Sequence, residues 1–202
     1  MKPPRALYCE FPLGRPLGVP DDPVFQRRVL EAALALLERP SGPVLEDFPE
    51  KIVDQAAAPL ACSLPPRHDP SAPAAVDEAR GLRPAYDRQL ARSGRTNVGQ
   101  IIGADQIADA LGSLVRVAEG MSPDDAGLPS DLRRVGLDVR AYYEEAAIAI
   151  AGHVPAARQA ESWLYRATEA GKTLKAAQGA LRQAGAPRAV WYFLVPSTQQ
   201  DG

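Results

Sequence analysis

Between Cys9 and Gly18 the chain places a thiol, a carboxylate, a guanidinium and two glycines in one short stretch, Cys9-Glu10-Phe11-Pro12-Leu13-Gly14-Arg15-Pro16-Leu17-Gly18. Gly14 and Gly18 permit a positive φ or a close approach of backbone to a ligand, while Pro12, Pro16 and Pro20 stiffen the path. Arg15, set between the glycines, carries the planar fork that holds a carboxylate through paired hydrogen bonds. The same residues also suit a plain structural task, routing the chain from one element to the next, and the residue types leave both readings open. Cys9 has the atom a nucleophile needs, but a cysteine inside an apolar strand is more often a small buried hydrophobe than a thiolate.

Elsewhere the chemistry thins out. Cys9 and Cys62 stand 53 positions apart and make neither a CxxC pair nor a zinc-ligand set. Cys62 and His68 flank Pro65-Pro66, two potential ligands in one segment, which is short of a metal site. Glu144, Glu145, Glu161 and Glu169 fall on helical sequence without any Glu-x-x-His step, so a di-metal carboxylate centre is not expected; these acids are expected to be solvated or paired with Arg140 and Arg166. His153 follows a helix end, where an imidazole caps carbonyls. The stretch Gly94-Arg95-Thr96-Asn97-Val98-Gly99-Gln100 has the glycines, hydroxyl and arginine of an anion cradle, but lacks the lysine and spacing of a P-loop and reads better as a helix-connecting turn. No metal and no cofactor are expected.

The elements that must position these groups are read from capping, breakers and apolar period. Residues 5–11 form a strand bounded by prolines. Asp22 at an N-cap with Pro23 behind it starts a helix that runs to about Arg39, with Phe25, Val29, Leu30, Ala33, Leu36 and Leu37 on one stripe; Gln26 sits one place beyond the usual capping-box position. Residues 44–48 read as a second strand, so the chain opens as a strand-helix-strand unit in a parallel sheet. A linker or covering loop rich in proline and alanine occupies 56–83. Helices follow at about 84–93, 105–119, 130–151 and 155–184. Leu132, Val135, Val139, Tyr142, Ala146 and Ile150 line one face of the third of these. Ala157, Ala160, Leu164, Ala167, Gly171, Leu174 and Leu181 line the fourth, a stripe of small residues suited to close helix packing. The aromatic run at 188–195 reads as a strand, and its similarity to 5–11 suggests that both join one sheet. The expected fold class is therefore α/β: a small parallel or mixed sheet with strands near 5–11, 44–48 and 188–195, and a predominantly helical C-terminal region. Residues 1–55 and 84–202 are expected to form one compact unit despite the linker.

Composition narrows the function classes. With 46% hydrophobic residues in 202, the chain can build a core. Its 23 basic against 25 acidic residues give a net charge of -2, which offers phosphate backbones no net attraction, so nucleic acid is not an expected partner. No apolar run is long enough to cross a bilayer and Met1-Lys2-Pro3-Pro4-Arg5 opens no leader-like stretch, so a cytoplasmic protein without a membrane partner is expected.

The segment Tyr8-Cys9-Glu10-Phe11-Pro12-Leu13-Gly14-Arg15-Pro16-Leu17-Gly18, followed by Asp21-Asp22-Pro23, Phe25-Gln26-Arg27-Arg28-Val29-Leu30 and Glu46-Asp47-Phe48-Pro49, resembles the C-terminal part of the selenoprotein B family. That family comprises the substrate-specific components of glycine, sarcosine and betaine reductases and the related D-proline reductase, and the resemblance spans residues 1–55. It implies an oxidoreductase setting in which Glu10, Gly14, Arg15 and Gly18 lie on the substrate side, facing a small carboxylate substrate. Family members use a selenocysteine or cysteine, paired with a nearby cysteine upstream of this region, to cleave a carbon-heteroatom bond reductively. Only eight residues precede Cys9 here, so that nucleophile has no counterpart and Cys9 is the one catalytic candidate. The expectation is a subunit of a split reductase complex, inactive alone, whose protein partner supplies the redox Cys/Sec motif. The competing expectation is a non-catalytic helical interaction or assembly protein that keeps a remnant of the reductase fold.

Overall fold

The computed structural model describes residues 3–11, 15–19, 22–50, 52, 60–155, 158–196 and 199. Two compact units divide the chain, Met1–Ala57 and Ala58–Gly202.

In the first unit, strand β1 (Arg5–Tyr8) pairs in parallel with strand β2 (Val44–Asp47), Arg5 opposite Val44 and Tyr8 opposite Asp47. The ladder continues past both ends, through Val44 N–H to the Pro4 carbonyl and Phe48 N–H to the Tyr8 carbonyl. Helix α1 (Pro23–Ala35) starts as its cap dictates: Asp22 accepts the Phe25 amide at 2.9 Å, and Pro23 occupies the first turn, where its missing N–H costs nothing. A 3₁₀ turn at Leu36–Glu38 completes it. Phe25, Val29 and Leu36 are buried, but Leu30, Leu34 and Leu37 stand 47%, 60% and 67% exposed, so only part of the apolar stripe has a neighbour to cover it.

The second unit is helical. Helix α2 (Ala74–Ser93) begins ten residues before the expected start, inside the stretch read as linker. Pro84 lies within it on the exposed side, and Gly94 closes it in the left-handed conformation, its N–H returning to the Leu90 carbonyl at 2.8 Å. Ahead of α2, Leu60, Cys62 and Leu64 already pack on the core. Helix α3 (Ile107–Ala118) follows a 3₁₀ turn, and Asp131 caps α4 (Leu132–Ala151), whose Leu132, Val135, Val139, Tyr142 and Ala146 are all buried as their spacing requires.

The sequence read as one helix over 155–184 is two, α5 (Gln159–Ala167) and α6 (Glu169–Gln183). Thr168 makes the break. It is extended at ψ 154, its hydroxyl donates to the Leu164 carbonyl, and the same oxygen accepts the Gly171 amide. A Cβ at Gly171 would collide with the Leu164 carbonyl, so this glycine sets how closely α6 approaches the end of α5. The break also takes Ala167 off the shared stripe and leaves it exposed.

The fold class is α/β, a small parallel sheet with a predominantly helical remainder, but the third strand is absent. Residues Arg188–Trp191 form a short helix, α7, and among the described residues the sheet has two strands. The run that follows turns instead of extending: Leu194 N–H bonds the Trp191 carbonyl, while Gln178 of α6 donates to the carbonyls of Trp191 and Tyr192. Its backbone groups are thus met by local turns and by two side chains, Gln178 and Tyr165, the latter donating to the Leu194 carbonyl, which removes the need for a strand partner. A short apolar run cannot by period alone be told from a buried helical segment.

Candidate functional site at the carboxyl end of the parallel strands

In an open α/β unit, ligands bind beyond the carboxyl ends of parallel strands, where loops leave toward helix N-termini. Here that end carries Cys9–Phe11 after β1, Phe48–Glu50 after β2 and Asp22 at the start of α1. Three rings pin the arrangement. Phe11, Phe25 and Phe48 stand with centroids 5.6 to 5.9 Å apart, two of the three pairs edge to face. With Val29 they form the small core on which Leu7, Cys9 and Val19 pack.

The returning part of the loop is held at several points. Gly18 N–H bonds the Arg15 carbonyl at 3.0 Å, closing a turn, and Gln26 Nε2 donates to the Val19 carbonyl at 2.9 Å. Gln26, one place past the capping-box position, therefore ties the loop to the helix it precedes. Gly18 adopts φ +91°, and a Cβ there would collide with the Phe25 ring. Its glycine is required by packing as well as by conformation.

Among the residues singled out from sequence, Arg15 is half-buried, and among the described residues its guanidinium has no hydrogen-bond or ion-pair partner. Its guanidinium is available to an anion. Arg28, by contrast, is spent: it makes a bidentate pair with Glu50, 2.8 Å on each arm, and lies 5.3 Å from the centroid of Phe25. Cys9 is half-buried against the phenylalanine cluster, and burial pushes its thiol above the ordinary 9.0, so near neutral pH it is a thiol and not a thiolate. Glu10 is exposed, and Gly14 lies outside the described residues. The structure thus gathers Cys9, Glu10, Arg15 and Gly18 on one loop, with Gly18 in a packing role and Arg15 as the group able to hold a carboxylate.

In the second unit, several buried acids are structural. The 94–100 turn does cradle an anion, and the anion is internal. Asp138 of α4, fully buried, accepts the amides of Gly99 and Gln100 on one oxygen and of Ile101 and Ile102 on the other, at 2.9 to 3.0 Å. Two turns further along, Glu145 accepts the Asn97 amide at 2.7 Å and the Thr96 hydroxyl at 2.8 Å. Glu78 of α2 accepts Tyr143 Oη and the amides of Glu169 and Ala170, capping α6 from another helix. Asp77 accepts the amides of His68 and Asp69. None of these links was named from sequence; the available signal was an acid at a core position of an amphipathic stripe, such as Asp138 beside Val135 and Val139.

Arg140 bridges Glu144 at 2.7 Å and Glu161 at 2.9 Å, the partnership its sequence position suggested, whereas Arg166 bonds Gln199. Glu169 pairs with Lys172, and His153 Nδ1 lies 3.0 Å from the Ala151 carbonyl at the end of α4. Cys62 donates its thiol to the Ala147 carbonyl, and burial raises its pKa too. Among the described residues no group of three or more His, Cys, Asp or Glu is placed to hold a metal, and no helix is long and apolar enough to cross a membrane.

Comparison with protein-family models, with curated proteins and with solved structures found no match to this chain.

Proposed function

We propose that the chain is a subunit of a reductase complex of the selenoprotein B type, in which the 9–18 loop faces a small carboxylate substrate and a partner chain brings the redox cysteine or selenocysteine. The observation that supports this reading is the unfinished state of the first unit. Parallel sheets are normally covered on both faces, and two strands alone are marginal in water. Here two parallel strands and one helix leave Val24, Leu34, Leu37 and Leu45 exposed by 60% or more, with both sheet edges open among the described residues. A partner that adds strands and covers this face would complete the layer and bring its own residues to the carboxyl ends of β1 and β2. Arg15 then anchors the substrate carboxylate; the partner's thiol or selenol and its neighbouring thiol are oxidised to a disulfide or selenosulfide, their two electrons and two protons passing to the carbon and to the departing heteroatom as the bond between them breaks, and neither Cys9 nor Cys62 is required as a redox pair.

The test is native purification followed by amide exchange. A co-purifying chain bearing a CxxC or UxxC segment, whose addition slows exchange in 5–8 and 44–48, supports the proposal. A chain that stays alone, with the 9–18 loop unresponsive to small carboxylates in every fraction, rejects it. The second reading, a non-catalytic assembly protein, draws on the acids of the helical unit: Asp77, Glu78, Asp138 and Glu145 are all committed to holding the fold.

A further inference from the structure

Three consecutive aromatic residues near the end of the chain each carry an arginine on the ring. Arg182 lies 5.8 Å from the centroid of Trp191, Arg188 lies 4.2 Å from that of Tyr192, and Arg133 of α4 lies 5.1 Å from that of Phe193. Among the described residues none of these three arginines has an acidic partner, in a chain with more acids than bases. Stacking satisfies the flat face of a guanidinium but leaves its N–H donors pointing outward in the plane, where they can meet an anion.

Two of these rings, Tyr192 and Phe193, border a recess. Arg133, Gly136, Leu137 and Arg140 of α4, Tyr165 of α5, and Tyr192, Phe193, Val195 and Pro196 enclose about 300 Å³, the low end of the range for small-molecule sites. Its walls are apolar and aromatic. The Tyr165 hydroxyl is already committed, donating to the Leu194 carbonyl at 3.2 Å. Arg140, on the same helix as Arg133, is compensated by Glu144 and Glu161, so it neither attracts nor needs a further anion. Among the described residues, the uncompensated positive charge lining the recess is that of Arg133.

We infer that this recess binds a small organic anion with a flat apolar body, seated between Leu137, Tyr165 and Phe193, with its carboxylate or phosphate on Arg133. The site lies wholly in the second unit and is independent of the role proposed for the 9–18 loop.

Calorimetric titration of the full chain tests this, with benzoate, phenylphosphate and inorganic phosphate as probes. Benzoate or phenylphosphate should bind at one saturable site, with inorganic phosphate weaker by about tenfold or more because it has no apolar body to bury. Arg133→Gln should weaken the bound probe by roughly tenfold or more, the loss of a charge-assisted contact. Arg134→Gln is the control: Arg134 pairs with Asp131 outside the recess, and its loss should leave binding unchanged. If Arg133→Gln lowers the thermal midpoint, Phe193→Ala, at a ring 52% exposed, decides in its place and should also weaken binding. Absence of binding by both organic probes, equal binding by inorganic phosphate, or undiminished binding in these variants would overturn the inference. So would salt-sensitive binding of a single-stranded oligonucleotide with no uptake of phenylphosphate, which would make the arginine-covered rings a nucleic-acid surface.

Discussion

The Phe25 ring occupies the space into which a side chain on Gly18 would project, so the loop after β1 and the first turn of α1 are fitted to each other at a single atom position. Gly18→Ala forces both a positive φ on alanine and a displacement of the ring, and should cost the first unit about 1–3 kcal/mol. Faster amide exchange at Leu7 and Phe48, with α4 amides unchanged, is the expected signature; unchanged exchange in the first unit would contradict the packing described.

Cys9 should behave as a packed thiol. Its raised pKa keeps the reactive thiolate scarce at neutral pH, so alkylation at pH 7 should be slower than for a free cysteine in a peptide and should climb steeply above pH 9.0. Cys9→Ala should lower stability by about 1 kcal/mol, the loss of a small buried group. Rapid labelling at pH 7, or a hundredfold loss of turnover in an active complex with the fold intact, would assign Cys9 a chemical role instead.

Asp138→Asn replaces one carboxylate oxygen by an NH₂ group facing amides that are themselves donors. Two of the four N–H groups lose their acceptor, the buried Ile102 amide among them if the Ile101–Ile102 side is the one replaced, which should destabilise the second unit by about 1–3 kcal/mol. The thermal midpoint and exchange at Gly99, Gln100, Ile101 and Ile102 measure it. Protection of those four amides equal to the parent protein would mean that the carboxylate is not what holds the turn.

Burial pushes the Glu78 carboxyl above the ordinary glutamate value of 4.5, against the pull of Tyr143 and of the Glu169 and Ala170 amides. A raised folded-state pKa means that the folded protein binds the proton more readily than the unfolded chain. The resulting stability is fully present below about 4.5 and is lost as pH rises through the higher folded value. Glu78→Gln does not titrate, so the variant should gain on the parent as pH rises from 4 to 7, read as the difference in urea midpoints. If the variant loses ground over that range, the three donors outweigh burial and the sign assigned to Glu78 is wrong.

Elements announced by local signals were legible in the sequence: the Asp22-Pro23 start of α1, the Val44–Asp47 strand between prolines, and the α4 stripe with its Asp131 cap. Three others depend on information that neighbouring residues do not carry. Pro84 reads as a start, yet it sits on the exposed side of α2, where its ring and missing N–H are tolerated. Thr168 is an N-cap hidden inside a continuous helical stripe, revealed only by its extended backbone and its bond to Gly171. The aromatic run after Pro187 turns because arginines from elsewhere cover its rings and Gln178 meets its carbonyls, contacts that no local pattern encodes. Of the loop residues, Arg15 and Gly18 were identified by type, but the collision that requires Gly18 involves a ring seven positions away and appears only once the helix is in place.

The bond between Asp138 and the 99–102 turn also constrains the order of events during synthesis. The Ile102 amide waits for a carboxylate that lies 36 residues further along the chain. While α2 and α3 emerge from the ribosome, the turn between them has no acceptor for its four amides and can be held only loosely by water. It becomes fixed when α4 has been made and can pack. Nascent chains stopped shortly after Ala118 should therefore present the 94–102 segment to proteases, and the resistance that appears once α4 is complete would mark the moment at which the helical unit closes on itself.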